Sequence, residues 1–137
     1  MIGKRQDMHG RVLVDTSVWV SFFRRTEGSV SERLKQLLRG GSPVYTGVIA
    51  TELIRGAKSK KELDTLDELF KSIEHIETKE ECFIDAGNLG RLLLQKGITI
   101  GIVDLLIAQI AIENNVFLFT LDAHFNTIAH YTLLRLY

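Results

Sequence analysis

Four acidic side chains stand where carboxylates are either costly or tightly placed: Asp15, Glu52, Asp104 and Asp122. Asp15 follows the apolar run RVLV, and Asp122 comes just past VFLFT. Asp104 lies near the start of Ile102 to Asn114, a stretch that is apolar nearly all round. Glu52 sits between Ile49 and Leu53, at the margin of an inward helix face. Each acid has an ordinary explanation. Asp15 can cap a helix, Asp104 can complement a helix dipole, and Asp122 can make an Asx turn. Glu52 can pair weakly with Arg55, three places on.

Taken together the acids ask for more. Two strand-end aspartates of one parallel sheet lie side by side if their strands are neighbours. A carboxylate on an apolar helix is costly to bury unless something positive meets it. Between Arg91 and His124 the chain offers only Lys96 as a base. A bound cation meets that need, and oxygen ligands without Cys or His select Mg²⁺ or Mn²⁺ over Zn²⁺. Such an ion keeps waters, binds a phosphate oxygen, lowers the pKa of a bound water and stabilises a leaving oxygen. The residues therefore point to metal-assisted phosphate chemistry. They do not choose its substrate.

The elements that must position these acids alternate in type. Arg11 to Asp15 reads as a strand, and Thr16 to Arg25 as a helix with Val18, Trp19, Phe22 and Phe23 at helical spacing. Ser31 to Leu38 is a second helix, stopped by Gly40-Gly41, and Pro43 opens a strand over Val44 to Thr46. Val48 to Ala57 and Lys61 to Phe70 read as helices, with a strand over Ile73 to Ile76. Glu80 to Gln95 is a long helix whose large apolar positions are Phe83, Ile84, Leu89, Leu92 and Leu93. Its small Ala86, Gly87 and Gly90 admit a close neighbour, and Gly97 caps its end. Ile102 to Asn114 is expected as a buried helix, Val116 to Thr120 as a strand buried on both faces, and Thr132 to Tyr137 as a fifth strand. Buried strands alternating with helices imply an α/β fold, one parallel sheet of about five strands covered on both faces. In such sheets a ligand site lies beyond the carboxyl ends of the strands.

A chain of 137 residues, 45% apolar, suits one domain with a real core. One cysteine, Cys82, excludes an internal disulfide, fits a reducing cytoplasm and reads as a small packing residue. No apolar run is long enough to span a bilayer, and no secretory leader is recognisable at the start. Residues 1–10 are expected to be a flexible extension and residues 11–137 the domain. Lys+Arg and Asp+Glu balance at 17 each, which argues mildly against generic nucleic-acid binding. A basic rim can still surround an acidic centre, with Arg24, Arg25, Arg39, Arg55, Lys58, Lys60 and Lys61 as its candidates.

With these residues placed, the pattern resembles the PIN-domain ribonucleases, especially VapC-type toxins of toxin–antitoxin pairs. LVDTSVWV (13–20) resembles the family's first strand and acid, with Thr16 and Ser17 beside Asp15. TELIRGA (51–57) resembles its glutamate helix, VDLLIAQIA (103–111) its third-acid helix, and LFTLDAHF (118–125) its final strand and acid. Each is weak alone, but four in order at family-like separations are strong together. The resemblance implies an endoribonuclease in which Asp15, Glu52, Asp104 and Asp122 hold Mg²⁺ or Mn²⁺ and metal-activated water cleaves RNA. Thr16, Ser17 and Thr120 would orient the acids or the substrate. It also implies a cognate antitoxin that blocks the acidic pocket, a homodimer, and a native start near Met8. The exposure expected of Trp19, Phe22 and Phe23 agrees weakly with a dimer.

One departure stands out: where many such toxins carry another acid two places after the fourth, this chain has His124. Its plain reading is a solvent-facing turn histidine, and the number of metal ions stays open. His9, His75 and His130 carry no motif. Two other classes compete. Aspartyl-phosphate enzymes also place aspartates at strand ends, but Asp15 is followed by Thr-Ser rather than a second aspartate two places on, and no lysine follows Lys96 for a receiver. A domain of the same fold that binds RNA or protein without cutting is disfavoured by the presence of all four acids.

Overall fold

A computed structural model describes residues 10–137; the extension expected over residues 1–10 lies outside them except for Gly10, as does the start near Met8. Four strands form one sheet: β1 (Val12–Val14), β2 (Pro43–Tyr45), β3 (Glu74–His75) and β4 (Phe117–Phe119). Seven helices join and cover them among the described residues: α1 (Thr16–Arg24), α2 (Ser29–Arg39), α3 (Gly47–Gly56), α4 (Lys60–Ser72), α5 (Glu80–Gln95), α6 (Ile102–Glu113) and α7 (His124–Tyr131).

The order across the sheet is β3-β2-β1-β4, and every pairing is parallel. The two strands that end in site acids, β1 and β4, are therefore neighbours, in register Val12↔Phe117, Leu13↔Leu118 and Val14↔Phe119. Successive strand residues point to opposite faces, yet Val12, Leu13 and Val14 are all fully buried. Both faces of β1 are covered, as its unbroken apolar run requires.

The helices use their sequence pattern unevenly. Trp19 is wholly buried and Phe22 partly, because α1 is covered by both α2 and α3; only Phe23 is left with 42% exposure. The dimer argument resting on these three aromatics is thereby corrected. In α5 the small side is the packed one: Cys82, Ala86 and Leu93 are buried, whereas Phe83, Ile84 and Leu92 face solvent. Close packing against α6 explains it. A Cβ on Gly90 would meet Leu105 Cδ1 at 2.6 Å. Gly97, at φ +79°, turns the chain after α5 while Ile98 N–H donates back to Leu93 O.

Three expectations need amendment. Helix α6 is buried through Leu105, Ile107, Ala108, Ile110 and Ala111, but its first turn is open, with Ile102 and Val103 exposed. Thr132–Tyr137 is not a full fifth strand. It touches β4 through a single parallel bridge, Leu118↔Leu136, with Leu118 N–H donating to Arg135 O and Tyr137 N–H to Leu118 O. Helix α7 has no counterpart in the sequence reading: only Phe125 and Ile128 of its eight residues are buried, too few for a visible stripe.

Candidate metal centre

The acids sit where chain direction puts them. Asp15 directly follows β1, and its backbone N–H donates to Phe119 O, fastening it to the end of β4. Asp15 is the residue before α1, but its side chain makes no capping hydrogen bond. That carboxylate, only 6% exposed, is held from another direction. Its Oδ2 accepts from the Ser17 hydroxyl at 2.7 Å and from the Thr120 hydroxyl at 2.9 Å. Two hydroxyl donors on one oxygen fix the carboxylate and leave Oδ1 the freer one.

The same hydroxyls hold the turn after β4. Ser17 Oγ accepts from Leu121 N–H at 3.1 Å, and Thr120 Oγ1 accepts from Asp122 N–H at 3.0 Å. Each hydroxyl thus donates to Asp15 and accepts from the backbone that carries Asp122, so one network sets two acids. Asp122 does make the Asx turn, its Oδ1 accepting from His124 N–H at 2.9 Å. The turn and a ligand role are compatible, since a carboxylate has further lone pairs.

Asp104, in the first turn of α6, meets Asp122 from the helix side. One ligand atom from each of Asp104, Asp122 and His124 can be chosen so that all lie within 4.8 Å. His124 Nδ1 stands 3.4 Å from Asp122 Oδ1 and 3.8 Å from Asp104 Oδ2, while its ring is 71% exposed. It faces solvent and borders the acids at once. Burial, then the neighbouring carboxylates Asp122 and Asp15, push the Asp104 carboxyl above the ordinary aspartate range; His124 opposes weakly, and Glu52 adds to the rise. Asp104 thus feels the other three acids, whereas the group whose ligand atoms lie within 4.8 Å of one another is Asp104, Asp122 and His124, without Asp15 or Glu52.

Glu52 lies on α3 across from α1. It does not pair with Arg55; its Oε1 accepts from the Thr16 hydroxyl at 2.8 Å. Thr16 and Ser17 are consecutive, so one turn of α1 holds Glu52 with one hydroxyl and Asp15 with the next. Thr46, the residue after β2, escaped sequence reasoning: it is fully buried and its hydroxyl has no partner among the described residues. A lone threonine before a helix gives no signal of that kind.

The donor set fits a hard divalent cation. Its members are carboxylates with one imidazole, no thiolate is present, and no lysine or arginine is ion-paired with any of the four acids among the described residues. Carboxylates gathered without a permanent cation partner are the pattern an ion relieves.

A parallel α/β sheet whose neighbouring strands β1 and β4 each lead to an aspartate, Asp15 and Asp122, is the architecture that gathers these carboxylates. Residues 12–131 match the PIN domain family model, and the chain belongs to the PIN-domain family, among its VapC-type members. Ribonuclease VapC11 of Mycobacterium tuberculosis is 30% identical over 128 residues, covering 90% of this chain and 96% of the relative. Ribonuclease VapC1 of Methanocaldococcus jannaschii is 30% identical over 131 residues, 95% of this chain and 90% of that one. Among solved structures, VapBC2 from Rickettsia felis bound to a fragment of promoter DNA superposes with a TM-score of 0.76 at 27% identity, covering 92% and 96% of the two chains.

Proposed function

We propose that the chain is the toxin of a toxin–antitoxin pair, an endoribonuclease that hydrolyses RNA phosphodiester bonds with Mg²⁺ or Mn²⁺. The observation that carries this reading is the gathering of Asp104 and Asp122 with His124, joined to Asp15 through the Ser17 and Thr120 hydroxyls, in a chain that matches VapC ribonucleases over nearly its full length.

A divalent cation supplies Lewis acidity toward the scissile phosphate and a water when bound. Asp104 and Asp122 offer carboxylate oxygens within 4.8 Å of each other, and Asp15 offers Oδ1. Ser17 and Thr120 keep Asp15 in one orientation, so little reorganisation is needed when the substrate arrives. Thr16 holds Glu52 through its Oε1. His124, on the open side, can hydrogen-bond a phosphate oxygen.

The partner expected is a cognate antitoxin, as the likeness to VapBC complexes supports, and the contact proposed is a basic side chain placed among the acids. The homodimer reading now rests on α5, where exposed Phe83 and Leu94 lie about three turns apart on one face. Among the described residues no helix is long and apolar enough to cross a membrane. A cytoplasmic site of action suits an RNA substrate and the buried free thiol.

To test the reading, the purified chain is incubated with mixed structured and single-stranded RNA, with Mg²⁺, with Mn²⁺ and with chelator. Asp15→Asn and Asp104→Asn are run alongside. Cleavage by the wild type with metal, lost in chelator and in both variants, is expected. Cleavage that survives chelation and both substitutions overturns it.

A further inference from the structure

Three neighbouring strands, β2, β1 and β4, are each followed at once by a residue that can hydrogen-bond: Thr46, Asp15 and Thr120. Thr46 and Asp15 keep extended backbone, so strand geometry runs one residue further. Carried on by that distance, the pairings Leu13↔Val44 and Val14↔Phe119 put the three residues in one row across the carboxyl edge of the sheet. Residues in such a row project to the same face. Thr120 shows it by donating to Asp15 Oδ2 at 2.9 Å. Thr46 flanks Asp15 from the opposite side, and its hydroxyl has no partner among the described residues.

Neither packing nor the helix accounts for that hydroxyl. Thr46 is wholly buried, and a buried hydroxyl without a partner is costly. A valine would fill the same space and leave no polar atom unpaired. Thr46 is also the residue before α3, a place where threonine often caps, and its carbonyl accepts from Ala50 N–H. Its side chain nevertheless makes no capping hydrogen bond. Helix α3 is the one that carries Glu52, so Thr46 joins the strand beside Asp15 to the helix of another site acid. Ser17 and Thr120 both engage Asp15 Oδ2, which leaves Oδ1 without either hydroxyl.

We propose that Thr46 is a positioning residue of the cation site, its Oγ1 accepting a hydrogen bond from one of the waters that a hard cation keeps, on the β2 side of Asp15. The inference rests on the cation reading of the acids and extends it by one residue that touches no metal. A cation polarises its waters into strong donors, and a fixed acceptor beside them sets their orientation. Thr120 orients the carboxylate from one side of the row, and Thr46 orients water from the other. Trp19 Nε1 is the other buried polar atom without a partner among the described residues. A water shared by Trp19 and Thr46 would be purely structural, and the two roles differ in what they do to metal binding.

The test uses the full chain with Thr46→Val, which keeps shape and loses the hydroxyl. Thr46→Ser and Thr46→Ala form a second pair that differs by the hydroxyl alone, should valine disturb the fold. Trp19→Phe is the control. Mn²⁺ affinity is read by electron paramagnetic resonance, the waters on bound Mn²⁺ by line broadening in ¹⁷O-enriched water, and folding by thermal melts in chelator. Cleavage of a labelled RNA gives kcat and KM. Thr46→Val is expected to weaken Mn²⁺ binding about tenfold, the lower end for a group that acts through a metal's own ligands. It is expected to lower kcat by a similar factor with KM for RNA unchanged. Thr46→Ser is expected to bind Mn²⁺ about tenfold more tightly than Thr46→Ala, and Trp19→Phe as tightly as wild type.

Thr46→Val that binds Mn²⁺ as wild type does, with Ser and Ala variants alike, overturns the proposal at any melting temperature. A melting point then coupled to Trp19→Phe assigns the hydroxyl to a structural water. A wild-type chain that leaves Mn²⁺ free removes the cation reading and this inference with it. Wild type that binds Mn²⁺ but cuts no RNA, with Thr46→Val still weakened, supports the positioning role and removes only the ribonuclease reading.

Discussion

Asp104→Asn should stabilise the metal-free protein while abolishing its activity. Two unit charges 4.8 Å apart, the outer limit for the Asp104–Asp122 ligand atoms, repel by about 3.5 kcal/mol at an effective dielectric of about 20. The side chains are 28% and 38% exposed, so solvent screening reduces this to about 1 kcal/mol. Asp15, Glu52 and burial push in the same direction. Against them stand His124 and the N-terminal dipole of α6, the latter about 0.3–1 kcal/mol. The upward displacement of the Asp104 carboxyl says which side prevails. The sign follows: a carboxyl easier to protonate in the fold gives stability below the ordinary aspartate value of 3.8, and that stability is lost as pH rises through the folded value. At pH 8 the charged form is a net cost, and removing it should gain about 1 kcal/mol, or about 3 °C in Tm for a domain of this size. Thermal melts in chelator at pH 8 measure it. A variant at least 1 kcal/mol less stable than wild type would refute the reasoning, because Asp104 would then be held by partners rather than opposed by neighbours.

Other consequences can be checked singly. Ser17→Ala and Thr120→Val each remove a hydrogen bond to a buried carboxylate, so each should cost about 1.5–3 kcal/mol in urea melts with unchanged m. Their double-mutant cycle should show coupling, since both act on Asp15 Oδ2. On α5, Gly87→Ala meets nothing within 4 Å and should stabilise by about 0.5–1 kcal/mol, the usual helix gain. Gly90→Ala forfeits that gain to an overpacking cost of about 1–3 kcal/mol against Leu105, and the order of the two melts decides the matter. Burial, with a hydrogen bond to Glu113, pushes the Cys82 thiol up to about 12, so native protein at pH 8 should react with thiol reagents only as fast as it opens.

The parts of the site legible in the sequence are those set by one element and its end. Asp15 and Asp122 were visible because a short apolar run followed by an acid marks a strand terminus, and Asp104 because it interrupts an apolar helix. What joins them depends on contacts about a hundred residues apart. That Ser17 and Thr120 both donate to one Asp15 oxygen follows from β4 lying beside β1, which no local pattern states. The aromatics of α1 misled for a related reason: periodicity gave one inward face, but two helices cover α1 and bury Trp19. In α5 the small residues did mark the close approach, since α6 packs on Ala86 and Gly90, but the sequence did not say that Phe83 and Ile84 would be turned outward. The seven candidate rim cations could be named from sequence. Only the fold separates Lys58 and Lys61, which line a groove between α1, α3 and α4, from Lys60, which pairs with Asp64.

The central claim is that these carboxylates form a cation site, and Mn²⁺ binding read by electron paramagnetic resonance tests it without any substrate. Titrating Mn²⁺ into the metal-free chain should show saturable binding that Mg²⁺ displaces and that Asp104→Asn and Asp15→Asn weaken strongly. A wild-type chain that leaves Mn²⁺ free in solution, or variants that bind it as well as wild type does, would contradict the account.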